Sequence, residues 1–314
     1  MAQSFDPGLT QRYTGTLRRV VNKDGSFNVH RRGGGMHLYL HLISLSWPKF
    51  FLWALLGFVV TNLIFASIFV AIGTADLQGA DPRVSSFANA FFFSTQTLTT
   101  VGYGHLAPRG YLASSVAAIE ATLGVILFAI ITSLLYGRIS RPSAKIVFSE
   151  QMVVAPFNGG TSIQFRIANY RPNILMDLEA VVLLMTVEEE GGQLRRKYAE
   201  LTLERSKVYF FPLTWTIVHP IREDSPLFGR TSDDMARDQA ELMILIRSFD
   251  DTFSQNVSAR HSYTHKEIVW NARFEPAFHF DEAGDMVLEL EKLHAISPQP
   301  AVTTPARATA DSSC

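Results

Sequence analysis

Residues 85–104 read SSFANAFFFSTQTLTTVGYG, and the fold of the whole chain turns on this stretch. Ser85 and Ser86 are helix-capping residue types, and the residues after them stay apolar as far as Leu98. This predicts a half-helix over 85–98, too short to cross a bilayer at about 1.5 Å per residue. It runs straight into Thr99-Thr100-Val101-Gly102-Tyr103-Gly104, and the chain then turns at Pro108. Gly102 and Gly104 tolerate positive φ, which lets successive carbonyls turn toward one axis.

The flanks set the depth of this segment. Phe50–Ala75 carries no charge, and Gly110–Gly137 carries one, Glu120. Each is long enough to span roughly 30 Å of hydrocarbon with some tilt. The first begins too far into the chain, and has no small-residue cleavage site behind it, to be a signal peptide. Composition agrees: 47% of the 314 residues are hydrophobic and only 18% charged, below the roughly 25% of soluble proteins. A net charge of −1 gives no reason to expect nucleic acid as a partner. The single cysteine, Cys314, excludes an intramolecular disulfide and a zinc site built on paired cysteines.

Lys and Arg placement sets orientation. Arg12, Arg18, Arg19, Lys23, Arg31, Arg32 and Lys49 precede the first span, and Arg138, Arg141 and Lys145 follow the second. Residues 76–109 hold only Arg83 and Arg109, so a multi-pass protein of the cell (inner) membrane with both termini cytoplasmic is expected. Residues 37–47, with Leu38, Leu42 and Leu45 on one side, predict an interfacial helix ended by Pro48. The expected order is an N-terminal arm (1–36), this interfacial slide helix (37–47) and a transmembrane domain (48–141). Within that domain the spans cover 49–75 and 110–138, the half-helix 85–98 and the segment after it 100–104. From 142 to 296 the pattern changes to short runs rich in β-branched and aromatic residues, such as 162–169, 178–188, 213–221 and 241–249, which predict a β-sandwich. Residues 297–314, rich in Pro, Thr and Ala, are expected to be disordered.

Irregular backbone at membrane depth is tolerated only where it lines a water-filled cavity or is buried in protein. Thr100–Gly104 is identical to the filter string of potassium channels. Carbonyls of Thr100, Val101, Gly102 and Tyr103, with the Thr100 hydroxyl, would replace the water around K⁺, and four chains are needed to close the ring. The C-terminal end of the half-helix would favour a cation in the cavity below. With this string, the sequence resembles the inward-rectifier potassium channel family, and its bacterial branch more closely. The resemblance covers roughly 37–296 and rests also on Ser46-Trp47-Pro48, Arg138–Pro142, Arg166–Arg171, Thr216–His219, Asp224–Leu227, Ala259–Tyr263, Glu267–Trp270 and Arg273–Pro276. It implies a homotetramer whose fold joins a two-span α-helical pore to an immunoglobulin-like all-β cytoplasmic domain that extends the pore. It also implies anionic phospholipid acting on the gate and Mg²⁺ or polyamine blocking from inside, with no resident cofactor.

Gly124, Phe128, Thr132 and Tyr136 recur every fourth residue along the second span. Spacing alone does not separate lipid from pore. The resemblance makes Phe128 and Tyr136 the gate constrictions and Gly124 either a flexible point or a packing contact. Phe128 stands where many animal members carry an acid, so weak rectification is expected. A Glu–Arg pair of the animal members matches Gln96 and Leu106 here and is absent. Glu120, the one ionisable residue within either span, is the expected filter support in its place or a buried structural acid. Arg138, Arg141 and Lys145 are the expected headgroup contacts. Glu188–Glu190 fits a solvated turn edge or an acidic pore ring, and His261 and His265 are candidates for coupling gating to pH. No nucleophile–base arrangement stands out, and no enzyme is expected. The rival readings are a poorly selective cation channel on the same fold and a membrane-anchored binding receptor.

Overall fold

The computed structural model describes residues 7–13, 19–30, 32–33, 38–73, 77–140 and 144–300. The chain divides into two compact units: Arg32–Arg141, and Met1–Arg31 together with Pro142–Cys314.

The first unit is helical. Helix α1 covers Leu38–Ser44, and α2 covers Trp47–Ile72. His37, the first residue of the expected slide helix, lies outside the described residues. Pro48 does not end α1. It sits in the first turn of α2, after Ser46 in extended conformation, where a missing N–H breaks no helical hydrogen bond. The first span therefore starts at Trp47 rather than 49, and it ends at Ile72 with Gly73 as its cap. A two-residue ladder, β1 (Leu77–Gln78) against β2 (Ala107–Pro108), brackets the short helix α3 (Ser86–Leu98). The Ser85 side chain caps α3 by accepting the Ala88 N–H at 3.3 Å. Helix α4, Tyr111–Ile139, completes the unit.

In lipid there is little hydrophobic drive between helices, so close fit and polar contacts hold them. Phe69 of α2 meets Phe93 of α3 edge-on at 4.9 Å. Phe65, Ala66, Ala90, Leu106 and Ala117 close around that pair. Lower down, Ile43 of α1, Phe50 of α2 and Leu134 of α4 make a second cluster.

The second unit is a β-sandwich. One sheet contains β6 (Leu175–Glu190), β7 (Gln193–Glu200), β8 (Lys207–Phe210), β10 (Glu241–Asp250) and β11 (Gln255–Thr264), in the order β11-β10-β6-β7 with β8 also on β6. The other contains β3 (Ile146–Phe148), β4 (Met152–Phe157), β5 (Gly160–Asn169), β9 (Thr214–Ile221) and β12 (Ile268–Trp270), in the order β12-β4-β5-β3 with β9 on β5. Alternate residues of each strand face inward, so Ala180, Val182 and Leu184 pack with Ile163, Phe165 and Ile217 in one core. A short helix, α5 (Ser232–Arg237), begins with a capping box between Thr231 and Asp234. Past the sandwich, β13 (Ala272–Phe274) precedes a hairpin of β14 (Phe278–Phe280) and β15 (Met286–Leu288). The structured chain also runs beyond 296. Strand β16, Ile296–Pro298, pairs with β13, because Ile296 packs against a cluster of Val153, Ala155, Ala272 and Phe274. Residues 301–314 of the expected tail lie outside the described residues.

Of the N-terminal arm, residues 7–13 and 19–30 are described within this unit. The fully buried Glu241 carboxylate accepts the backbone N–H groups of Val20 and Val21 at 3.0–3.3 Å. The Ser262 hydroxyl donates to the Val21 carbonyl at 2.5 Å, Glu267 pairs with both Arg19 and Lys23, and His261 Nδ1 donates to the Lys23 carbonyl at 3.0 Å. A buried carboxylate facing two amides is a strong anchor, since either side left alone costs about 1–3 kcal/mol.

His261 stacks on Phe148 at 4.7 Å and meets Tyr263 edge-on, with Nε2 buried and unpartnered among the described residues. Burial, with Arg19 and Lys23 adding to it, pushes its pKa from the ordinary 6.5 down to about 4. The ring is therefore neutral near pH 7 and does not sense pH there. The unfolded chain takes up the proton first, so this contribution is complete above about pH 6.5 and is lost as pH falls toward 4. It amounts to about 3 kcal/mol. Acid should thus loosen β11 and the arm, read as falling hydrogen-exchange protection of 20–25 and 255–264 between pH 7 and 4.5. His261→Phe should flatten that fall, and an unaltered slope would assign the acid sensitivity elsewhere.

Candidate functional site

The site grows out of the C-terminal end of α3. A helix leaves its last carbonyls without intrahelical partners, and here the next residues supply them. Thr99 N–H and its hydroxyl both donate to the Thr95 carbonyl, at 3.1 and 2.7 Å. Thr100 N–H donates to Thr97 at 3.0 Å, and the Val101 and Gly102 N–H groups both reach the Gln96 carbonyl at 3.0 and 3.3 Å. The start of the filter string is thus tied to one turn of α3.

Through that anchor and past it, φ is positive at every second residue: Thr100 (57°), Gly102 (53°) and Gly104 (77°). Such alternation turns neighbouring peptide planes so that their carbonyls share one side, the arrangement that coordinates a bare cation. The glycines adopt it freely, but Thr100 is β-branched and holds it at roughly 1–3 kcal/mol of strain. The anchoring bonds at 99–102 offset that strain. Sequence reasoning marked Gly102 and Gly104 but had no signal for Thr100, since the side chain gives no hint of the conformation imposed on it. Val101 and Tyr103 are 53% and 78% exposed in the single chain.

Thr100 and Phe128 line the same apolar groove of about 690 Å³, with Thr99, Gly124, Ile131 and Leu134 also on its wall. Phe128 and Tyr136 are 75% and 73% exposed, and the Thr132 hydroxyl between them returns to the Phe128 carbonyl at 2.8 Å. Gly124 is different. It is buried, and a Cβ there would lie 2.1 Å from the Leu98 carbonyl oxygen. This glycine lets α4 approach the end of α3.

Glu120 is fully buried, as are Ser94 of α3 and Asn62 of α2. The Ser94 hydroxyl donates to Glu120 Oε1 at 2.5 Å and lies 3.0 Å from Asn62 Oδ1, while Asn62 Nδ2 donates to the Phe58 carbonyl at 2.8 Å. Glu120 meets α3 and not the filter loop itself. The Gln96 side chain is not brought into this group: its Oε1 is buried without a partner among the described residues, and its contribution is the backbone carbonyl. Leu106 sits in the apolar cluster around Phe69 and Phe93. Sequence reasoning missed Ser94 and Asn62, although a lone Asn in an uncharged span was a signal.

Of the three expected headgroup residues, Arg138 belongs to the helical unit and Lys145 to the β unit. The Arg138 guanidinium donates to the carbonyls of Leu42 at 2.9 Å and Leu45 at 2.6 Å, near the end of α1, and lies over the rings of Trp47 and Phe50 at 4.7 and 4.8 Å. Its charge thus answers the unpaired carbonyls of a helix C-terminus. Lys145 is exposed in the β unit, and Arg141 lies outside the described residues. There, Lys145 shares a groove with Lys23 and Arg260. Glu188 and Glu190 end β6 and pair with Lys197, Arg230 and Arg195, so these two acids face cations rather than water alone.

Comparison with known proteins matches both units. The family model for an ion channel covers residues 50–141, and that for the inward rectifier potassium channel C-terminal domain covers 146–313. The chain is 36% identical to the inward rectifier potassium channel Kirbac3.1 of Paramagnetospirillum magnetotacticum, over 89% of this chain and 96% of that one. It is 27% identical to ATP-sensitive inward rectifier potassium channel 12 of Gallus gallus, over 88% and 71% of the two chains. It is 26% identical to inward rectifier potassium channel 18 of Homo sapiens, over 93% and 74%. Two candidate spans, a channel family model over the first unit, an inward rectifier family model over the second and similarity across most of the chain agree: the chain is a membrane protein and an ion channel, not an enzyme, and it belongs to the inward rectifier potassium channel family.

Proposed function

We propose that four copies of this chain assemble into a K⁺-selective pore, with K⁺ held by the carbonyls of Thr100, Val101, Gly102 and Tyr103. The observation that carries this reading is the alternating left-handed backbone at Thr100, Gly102 and Gly104, anchored on the last turn of α3. One such strand provides a single wall, and its side chains stay exposed until neighbours cover them. The arrangement supplies desolvation in trade for carbonyl ligands and leaves no chemistry to perform.

The pore closes where Phe128 and Tyr136 converge from four copies of α4. Rings this large and apolar exclude water from a narrow passage and so stop ions. Phe128 gives the cavity no acid, so Mg²⁺ or polyamine entering from inside is held weakly. Both termini and the β unit lie on the cytoplasmic side, following the excess of Lys and Arg outside the 76–109 segment. The β unit reports ligand or lipid state to the gate. Anionic phospholipid is the expected lipid, met by Arg141 and Lys145, while Arg138 holds α1 to α4.

Purified protein in liposomes should take up Rb⁺, with uptake competed by K⁺, refused for Na⁺ and stopped by Ba²⁺. Equal Na⁺ flux would assign the poorly selective rival, and no flux even from widened-gate variants would overturn the proposed pore. Phe128→Ala and Tyr136→Ala should each raise uptake severalfold in conditions that favour closure, and unchanged uptake would place the constriction elsewhere. Comparing vesicles with and without anionic phospholipid should change uptake in the parent, and Lys145→Gln should shrink that difference. An undiminished lipid response in Lys145→Gln would remove this residue from the lipid contact.

A further inference from the structure

Three buried polar side chains from three different helices meet behind the filter. Asn62 of α2, Ser94 of α3 and Glu120 of α4 are each 0% exposed. A polar group in that setting is costly unless paired, because neither lipid nor apolar packing offers it a partner. Ser94 supplies the link by sharing its one hydroxyl proton between two acceptors, Glu120 Oε1 at 2.5 Å and Asn62 Oδ1 at 3.0 Å, while Glu120 Oε2 is buried without a partner among the described residues. The Asn62 amide is held in its orientation by its bond to the Phe58 carbonyl.

The spacing turns this contact into a register. Ser94 and Leu98 are one turn apart on α3, and Glu120 and Gly124 are one turn apart on α4. Glu120 grips Ser94, while Gly124, lacking a Cβ, seats the Leu98 carbonyl. Between those two points lie Gln96 and Thr97, whose carbonyls hold the N–H groups of Thr100, Val101 and Gly102. A slip or rotation of α3 moves those carbonyls and releases the strained Thr100. No ion pair does this work, since residue 96 is Gln and Leu106 is buried among apolar side chains.

We infer that Asn62, Ser94 and Glu120 form a three-helix lock that fixes α3 against both spans and so positions the filter, which makes Ser94 and Asn62 selectivity-positioning residues. The inference rests on reading Thr100–Gly104 as a K⁺ filter. The lock is at membrane depth and fully buried, so it acts through α3 and never touches the ion.

The test pairs hydrogen exchange with flux on the full chain in liposomes. Ser94→Ala and Glu120→Ala should each speed exchange of the 99–102 amides by about tenfold, the effect of losing roughly one buried hydrogen bond. They should also lower K⁺ over Na⁺ discrimination by about tenfold while Rb⁺ uptake persists. Glu120→Gln keeps an oxygen acceptor for Ser94 and should behave as the parent, and the Ser94→Ala/Glu120→Ala double variant should be no worse than the poorer single one. Asn62→Ala should give a smaller change in the same direction. Should Glu120→Ala fail to assemble, Ser94→Ala, which removes one oxygen atom, carries the comparison. Parent-like exchange at 99–102 in assembled Ser94→Ala overturns the lock whatever the flux shows. A parent that passes Na⁺ overturns the K⁺ reading instead, and the exchange data still decide the lock.

Discussion

Backbone polar groups inside a bilayer have no water to bond, and the helical unit holds one segment outside regular structure. From Thr100 to Gly104 the chain leaves helix and strand, with positive φ at Thr100, Gly102 and Gly104. That choice is tolerable because hydrogen bonds fix the backbone on either side of it. The last turn of α3 gives its carbonyls to the N–H groups of residues 99–102, and Asn89 ties the loop before α3 through bonds to Asp81 and Val84. The β1–β2 ladder closes the loop ends. Strain at Thr100 persists because its neighbours over-determine it.

The same economy governs the charges. Arg138 bonds the open carbonyls near the end of α1 and lies against two aromatic rings, so one guanidinium ends one helix and joins it to another. Glu120 is spent on Ser94. In the β unit, Glu241 takes two amides of the N-terminal arm and Glu267 takes two of its cations. These bonds tie residues 19–23 of the N-terminal arm to the sandwich. A buried carboxylate fixed by amides from a distant segment is a strong restraint, because separating them leaves both sides unpaired.

Several readings from sequence alone rested on signals with a direct physical cause. The long uncharged runs fold as two candidate spans, the capped apolar run between them folds as α3, and alternating inward residues of the strands face a core. Boundaries were harder. Pro48 read as a stop and is a start, because a proline breaks a helix interior but suits a first turn. Ile296 read as the last ordered residue, yet it packs against Phe274 and carries β16 with it. His261 was a candidate for coupling gating to pH, but its stacking on Phe148 and its burial keep it neutral near pH 7.

The sequence by itself determined the class of molecule: two spans, a filter string whose glycines permit the required backbone, and a β-rich second half. Those are properties of local residue type and period. Only the tertiary structure decided that Thr100 shares the left-handed conformation, that Glu120 reaches Ser94 and Asn62, that Gly124 receives the Leu98 carbonyl and that Arg138 serves α1. Each of these joins residues dozens of positions apart or sets a conformation against a side chain's own preference. No composition or spacing encodes such pairings, because they exist only once separate helices have been packed at a particular height and rotation.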